Sequence, residues 1–229
     1  MLNFSPADLY AIGLSARVAC VATLITIPLG FALSWLLVFS RIRGKAFIDG
    51  LINLPLVLPP VVVGYLLLLA LGKQGWLGTL LAQLDIQLIF TWKAAVLAST
   101  LIALPLMVRS IRLGMEQIDP HLLHAARSLG ACSLDTLFSV VIPLCAPAIL
   151  AGASLSFARS LGEFGATIIL AGNIPNLTQT IPLAIFDYSN TPGGESQAMS
   201  LCLVSIVLSY CVLLINEQAA RKLRNNHSR

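Results

Sequence analysis

Charge is what this sequence has least of. Only 10% of its 229 residues are Asp, Glu, Lys or Arg, against about 25% in an ordinary soluble domain. So few charges exclude a chain whose surface is mostly water-facing. Paired cysteine motifs are missing too. Cys20, Cys132, Cys145, Cys202 and Cys211 are odd in number and contain no CxxC. Neither a disulfide framework nor a zinc site is signalled, and they read as small packing residues. Met1–Ala16 holds no Lys or Arg, so the basic region of a secretory signal is lacking and the first apolar run is expected to be retained. There is no Walker A loop: Gly72-Lys73 lacks both the preceding glycine loop and a following Ser or Thr. ATP binding by that route is excluded. No Ser/His/Asp or Cys/His arrangement is evident, and His121, His124 and His227 have no ligand-spaced neighbours. No catalytic residue, metal site or cofactor is expected. The two halves show no repeat, which argues against an inverted-repeat carrier.

What the sequence does have is long apolar runs. Mean hydropathy is +0.88 and 57% of residues are apolar. Crossing a hydrocarbon core of roughly 30 Å takes about 20 apolar residues in a helix. Five spans are predicted: 18–39, 51–71, 88–108, 142–171 and 198–215. The expected fold is an all-α membrane protein, with residues 1–229 forming one transmembrane domain. Pro55, Pro59 and Pro60 interrupt the second span. They read either as a bent helix beside a pore or as a kink that only aids packing.

Basic residues near span ends set the orientation. Arg41, Arg43 and Lys45 follow the first span, Arg109, Arg112 and Arg127 the third, and Arg221, Lys222, Arg224 and Arg229 the fifth. That side is assigned to the cytoplasm, which puts the N-terminus outside and the C-terminus inside. Arg17, Lys73 and Lys93 lie opposite, near span ends where they can snorkel. Trp35, Trp76 and Trp92 suit interfacial anchors. Gly172–Gln197 has no Lys or Arg, as an external connection should. Within it, Ile181–Tyr188 is too short to span and is expected to be interfacial or re-entrant.

The cytoplasmic loop, 109–141, carries a distinct grammar. Asp119-Pro120 is a helix start and Gly130 a C′ stop, predicting a short helix over Pro120–Leu129. Ser133 is expected to cap a second, with Asp135 in its first turn. Leu122, Leu123 and Leu129 beside Ala125 and Ala126 offer an apolar face. It could dock on another protein or fold back on its own. Nothing in this pattern suits nucleic acid.

These residues resemble a known family. Permease subunits of ABC importers carry a loop reading Glu-Ala-Ala, three residues, Gly, nine residues, Ile-x-Leu-Pro. Here it is His124-Ala125-Ala126, then Gly130, then Val140-Val141-Ile142-Pro143. The spacing agrees throughout, and His124 stands where the family has Glu. Leu54–Gly64 and Phe157–Thr167 look like signatures of the oxyanion branch, which covers molybdate, tungstate, sulfate and thiosulfate. The compact five-span layout is most similar to the molybdate members. The resemblance implies a type I ABC importer permease fold, a homodimer, and a place in the bacterial inner membrane. It also implies two ATP-binding subunits on the 120–138 helices and a periplasmic oxyanion-binding protein. His124, Ala125, Ala126, Gly130, Ile142 and Pro143 would be the coupling residues.

Arg159 and Glu163 are the only charges deep within a predicted span. Each costs about 2.5–3.5 kcal/mol at mid-bilayer even on the mildest scale. Gly152, Ser156, Ser160, Glu163 and Thr167 recur at offsets of three and four, one helical stripe with Arg159 at its edge. The stripe could line a translocation path, with Ser156, Arg159, Ser160, Glu163 and Thr167 as the pore residues. The other reading is a satisfied ion pair that holds helices together. Other readings of the whole chain are a sulfate, thiosulfate or tungstate permease, an ion-coupled carrier, or a membrane scaffold.

Overall fold

The computed structural model describes residues 4–40, 42–73, 75–85 and 87–227, with side chains as far as Gln218. Among them every regular element is helical. Helix α1 is Pro6–Phe39. Its start is fixed by a capping box. The Asp8 N–H donates to Ser5 Oγ at 3.2 Å, the Ser5 N–H donates to Asp8 Oδ2 at 2.7 Å, and Pro6 follows at the first helical position. Its 34 residues make a rod of about 51 Å, longer than the hydrocarbon core. It starts twelve residues before the predicted span.

The second span is not one helix. Helices α2 (Lys45–Val57) and α3 (Pro60–Leu71) meet at 112°. At 13 and 12 residues, neither crosses a bilayer alone. Pro59 at the N-cap and Pro60 after it carry no N–H, so two of the donors normally orphaned at a helix start do not exist here. A short helix α4 (Trp76–Gln83) follows. Helix α5 is Trp92–Glu116. It begins four residues after the predicted span and continues eight beyond it, so the loop expected from 109 starts only after Glu116.

Helix α6 (Pro120–Ser128) and the single-turn α7 (Ser133–Thr136) form the predicted hairpin. The cap of α7 is Cys132 rather than Ser133: its Sγ accepts from the Asp135 N–H at 3.4 Å. A π turn, Leu137–Val141, leads into α8 (Ile142–Leu161). The fourth span, expected to run unbroken to Ala171, stops at Leu161. After Gly162–Phe164 a separate α9 (Gly165–Leu170) begins. Helix α10 is Ile181–Ser189 and α11 is Glu195–His227, which encloses the predicted fifth span.

Four helical stretches are long and apolar enough to cross a membrane, and the bent α2–α3 pair makes a fifth if counted as one span. Their burial ranks them. In the most apolar window of α5, 67% of residues are buried, against 11% for α11, so α5 is the axle and α11 the rim. Helix α8 runs antiparallel along α5. The Ser110 Oγ donates to the Ala148 carbonyl at 2.7 Å, Gly152 faces Met107, and the Ser156 Oγ donates to the Ala103 carbonyl at 3.5 Å. Small residues at each step let the backbones approach. The Ser34 Oγ ties α1 to α5 through the Val108 carbonyl at 2.9 Å.

Helix α10 does not lie free in an interface. Ile181, Leu183 and Ala184 are buried. Its first N–H donates to Ser15 Oγ at 2.7 Å and the Tyr188 Oη donates to Asp8 Oδ1 at 2.8 Å, so it is strapped to α1. Burial pushes the Tyr188 phenol above its ordinary pKa, with the Asp8 hydrogen bond adding to the rise. Asp187 gathers Asn173 Nδ2 at 2.8 Å and Gln179 Nε2 at 2.7 Å, which closes the connection before α10. The Arg17 guanidinium stacks over Trp92 at 4.0 Å, anchoring α1 to the start of α5. Arg41 and Arg229, and the side chains of Arg221, Lys222 and Arg224, lie outside the described residues.

Candidate functional site

Two places gather the residues that the sequence singles out. The first is the α6–α7 hairpin. The Asp119 carboxylate accepts from the His121 N–H at 2.9 Å, capping α6 as expected. At the other end the Gly130 N–H donates to the Arg127 carbonyl and the Ala131 N–H to the Ala126 carbonyl, at 3.0 and 3.1 Å. With Gly130 at φ +86°, this pair of bonds is a Schellman stop. Leu123 anchors the helix to the core around Met107, Ile111 and Met115. Leu122, Leu129, Leu134 and Phe138 stay exposed, Leu129 by 89%. His124 and Ala125 lie on the free surface with them and Ala126 is half-buried. Ile142 and Pro143 sit apart, half-buried at the start of α8. The hairpin is thus a capped helix pair presenting exposed apolar side chains, held to the bundle from one side.

The second place is where the two broken spans meet. A Cβ on Gly165 would lie 3.0 Å from Pro60 Cβ and 3.1 Å from the Val61 nitrogen. A Cβ on Gly64 would fall 2.7 Å from Ala166 Cα, and backbone cannot give way to that. So the first turns of α3 and α9 cross at two glycines. The stretches Leu54–Gly64 and Phe157–Thr167, separate in sequence, form one site. The sequence carried part of a signal for this: the first stretch holds Pro55, Pro59 and Pro60, while the second has only Gly162 and Gly165 to interrupt it.

An ion pair at the C-terminal end of α8 lies at this crossing. Arg159 Nη1 is 2.6 Å from Glu163 Oε2. Glu163 Oε1 accepts from the Ala166 N–H at 2.9 Å, so the same carboxylate satisfies an N–H at the start of α9. The Oε2 contact is a charge contact, without the alignment of a hydrogen bond. The Glu163 side chain is 1% exposed and that of Arg159 30%: the anion is sealed and the cation reaches outward. Ser156, Ser160 and Thr167 are buried within the chain. The helical stripe is interrupted at Gly162, with Gly152, Ser156 and Ser160 on α8 and Thr167 on α9. Gly152 and Ser156 face α5; continuing the register sets Ser160 opposite Ser99. Of the five residues named for a path, Arg159 alone reaches toward open space.

A bundle built on one central helix, with broken spans crossing inside it and an exposed helix pair at one end, is the type I ABC importer permease fold. A bacterial ABC transporter that imports the acidic polysaccharide alginate has a chain that superposes with a TM-score of 0.76 over 96% of this chain and 80% of its own, at 14% identity. The chain belongs to the family of binding-protein-dependent transport system inner membrane components, whose profile matches residues 22–225. Among its relatives is the molybdenum transport system permease protein ModB of Haemophilus influenzae, 48% identical over 95% of both chains. Another is the sulfate transport system permease protein CysT of Salmonella typhimurium, 34% identical over 90% of this chain and 75% of its own.

Proposed function

We propose that this chain is the membrane-spanning permease subunit of an ATP-driven importer that moves molybdate across the bacterial inner membrane. The 48% identity to a molybdenum permease across nearly the whole of both chains carries the substrate. The more distant sulfate relative makes sulfate, thiosulfate or tungstate the second reading.

Two copies would enclose the path about a two-fold axis, the usual symmetry of a closed dimer. Two ATP-binding subunits would dock on the α6–α7 hairpins, whose exposed Leu122, Leu129, Leu134 and Phe138 support that role. Ala125 and Ala126 allow close approach, Gly130 sets the angle of the hairpin, and Ile142-Pro143 passes its movement into α8. His124 contributes an imidazole to the docking face. A periplasmic binding protein would deliver the dianion at the opposite end, with lipid around the rim. ATP would draw the hairpins together and open the path outward, and hydrolysis would reset it.

Arg159 would face the path at the crossing of α3 and α9 and supply positive potential to the passing anion. Glu163 holds it from behind, and Ser156, Ser160 and Thr167 back the same stretch. The chain itself does no chemistry, since ATP is split in its partner. The N-terminus would be periplasmic and the C-terminus cytoplasmic.

Orientation and docking can be tested together at Cys132, which is exposed on the hairpin. In a variant keeping only this cysteine, a membrane-impermeant maleimide is expected to label inside-out vesicles at least tenfold more than right-side-out ones. Co-expression with the ATP-binding subunit should protect it. Labelling from the outer side would reverse the topology. Full labelling in an assembled complex would move the docking surface elsewhere.

A further inference from the structure

Helix α2 buries none of its residues, and a polar cluster links it to α5. Arg112 Nη1 lies 3.0 Å from Asp49 Oδ2, and Arg112 Nε donates to Glu116 Oε1 at 2.8 Å. Asn53 Nδ2 donates to Asp49 Oδ1 at 2.9 Å and to the Asp49 carbonyl at 2.8 Å. These side chains wall a polar cavity of about 300 Å³ between the two helices, lined by Asp49, Asn53, Val108, Arg109 and Arg112.

Its lining holds two guanidinium groups and one carboxylate. Asp49 and the neighbouring Glu116 are both engaged by Arg112. Arg109, three residues earlier on the same helix face, lines the same cavity and is exposed. It pairs with no carboxylate among the described residues. Arg112 has spent Nη1 and Nε and keeps the donors of Nη2. Two guanidinium groups a turn apart repel, and the one that lacks a counter-charge opens on water.

We propose that this cavity is a binding site for a tetrahedral oxyanion. Arg109 and the free edge of Arg112 are its donors, and Asp49 is the resident carboxylate that holds Arg112 in position. Planar guanidinium forks match two oxygens of such an anion at once. The oxyanion is either a free ion or the phosphate of a lipid headgroup. Only the suggestion that the free ion is the imported cargo rests on the proposed function. The site is separate from the crossing of α3 and α9, where Ile102 of α5 shares a core with Val63 and Ala166: it lies seven to ten residues beyond Ile102 on α5, toward the hairpin end.

The test uses the purified complex of this chain with its ATP-binding subunit. In one arm, molybdate binding is measured by equilibrium dialysis in phospholipid-free detergent, for the parent, Arg109→Gln and Lys93→Gln. In the other, native mass spectrometry compares retention of phosphatidylglycerol and phosphatidylcholine by the parent and Arg109→Gln. Arg109→Gln is expected to weaken one molybdate site per permease chain tenfold or more, and Lys93→Gln, an exposed cation at the far end of α5, to leave it intact. Loss of phosphatidylglycerol retention with no change in molybdate binding would support the site with a headgroup as its source. If neither ligand depends on Arg109, the proposal is overturned. Arg109-dependent molybdate binding would survive a failure of ATP-driven uptake, so the two readings fail separately.

Discussion

Arg159→Ala is expected to leave the Glu163 carboxylate buried without a counter-charge and to cost the folded chain about 3–5 kcal/mol. Glu163 cannot escape to water at 1% exposure, and its Oε1 is committed to the Ala166 N–H. A loss of that size is a large part of the stability of most domains. It should appear as a sharply reduced yield of monodisperse protein and a lower thermal midpoint. Arg159→Ala/Glu163→Ala removes both charges and is expected to recover most of that loss. The remainder is the lost acceptor at the start of α9, about 1 kcal/mol. Glu163→Gln keeps an oxygen for Ala166 and should fold better than Arg159→Ala. What separates a transport role from a packing role is transport by the double variant. The account predicts that it assembles and transports poorly. A double variant that assembles and transports at the parent rate would make the pair a packing device only.

Gly130→Pro is expected to abolish assembly with the ATP-binding subunit while leaving membrane insertion unchanged. The residue sits at φ +86° and proline is locked near −65°, so the turn between α6 and α7 cannot form. Proline also removes the N–H that donates to the Arg127 carbonyl. Gly130→Ala is the graded control. A Cβ there meets nothing within 4 Å, so only the left-handed backbone is penalised, by about 1–2 kcal/mol. It should weaken co-purification without eliminating it. Unaltered co-purification of Gly130→Pro with its partner would remove the hairpin from the coupling path.

The sequence was most legible where the chemistry is local. Apolar run length located the spanning helices, and Asp119-Pro120 and Gly130 fixed the ends of α6 to within a residue. It was less legible where a break depends on what packs against it. Gly162 inside an apolar run is tolerable in a continuous helix; it ends α8 because the next turn must cross α3 at Gly64 and Gly165. The same contact joined two motifs that are a hundred residues apart. Pro59-Pro60 announced a kink, but its 112° size follows from packing. The docking of α10 on α1 through Ser15, Asp8 and Tyr188 left no periodic signal, being two hydrogen bonds across 166 and 180 residues of chain. The candidate pore stripe assumes an unbroken helix. The break reassigned its faces and left Arg159 as the side chain that reaches outward.

The most direct test is uptake of labelled molybdate into proteoliposomes holding this chain, its ATP-binding subunit and the periplasmic binding protein, with and without ATP, and with sulfate and tungstate as competitors. The account predicts ATP-dependent accumulation that a hundredfold excess of sulfate barely reduces. No ATP-dependent uptake of any of the three oxyanions, in a complex shown to be assembled, would contradict it.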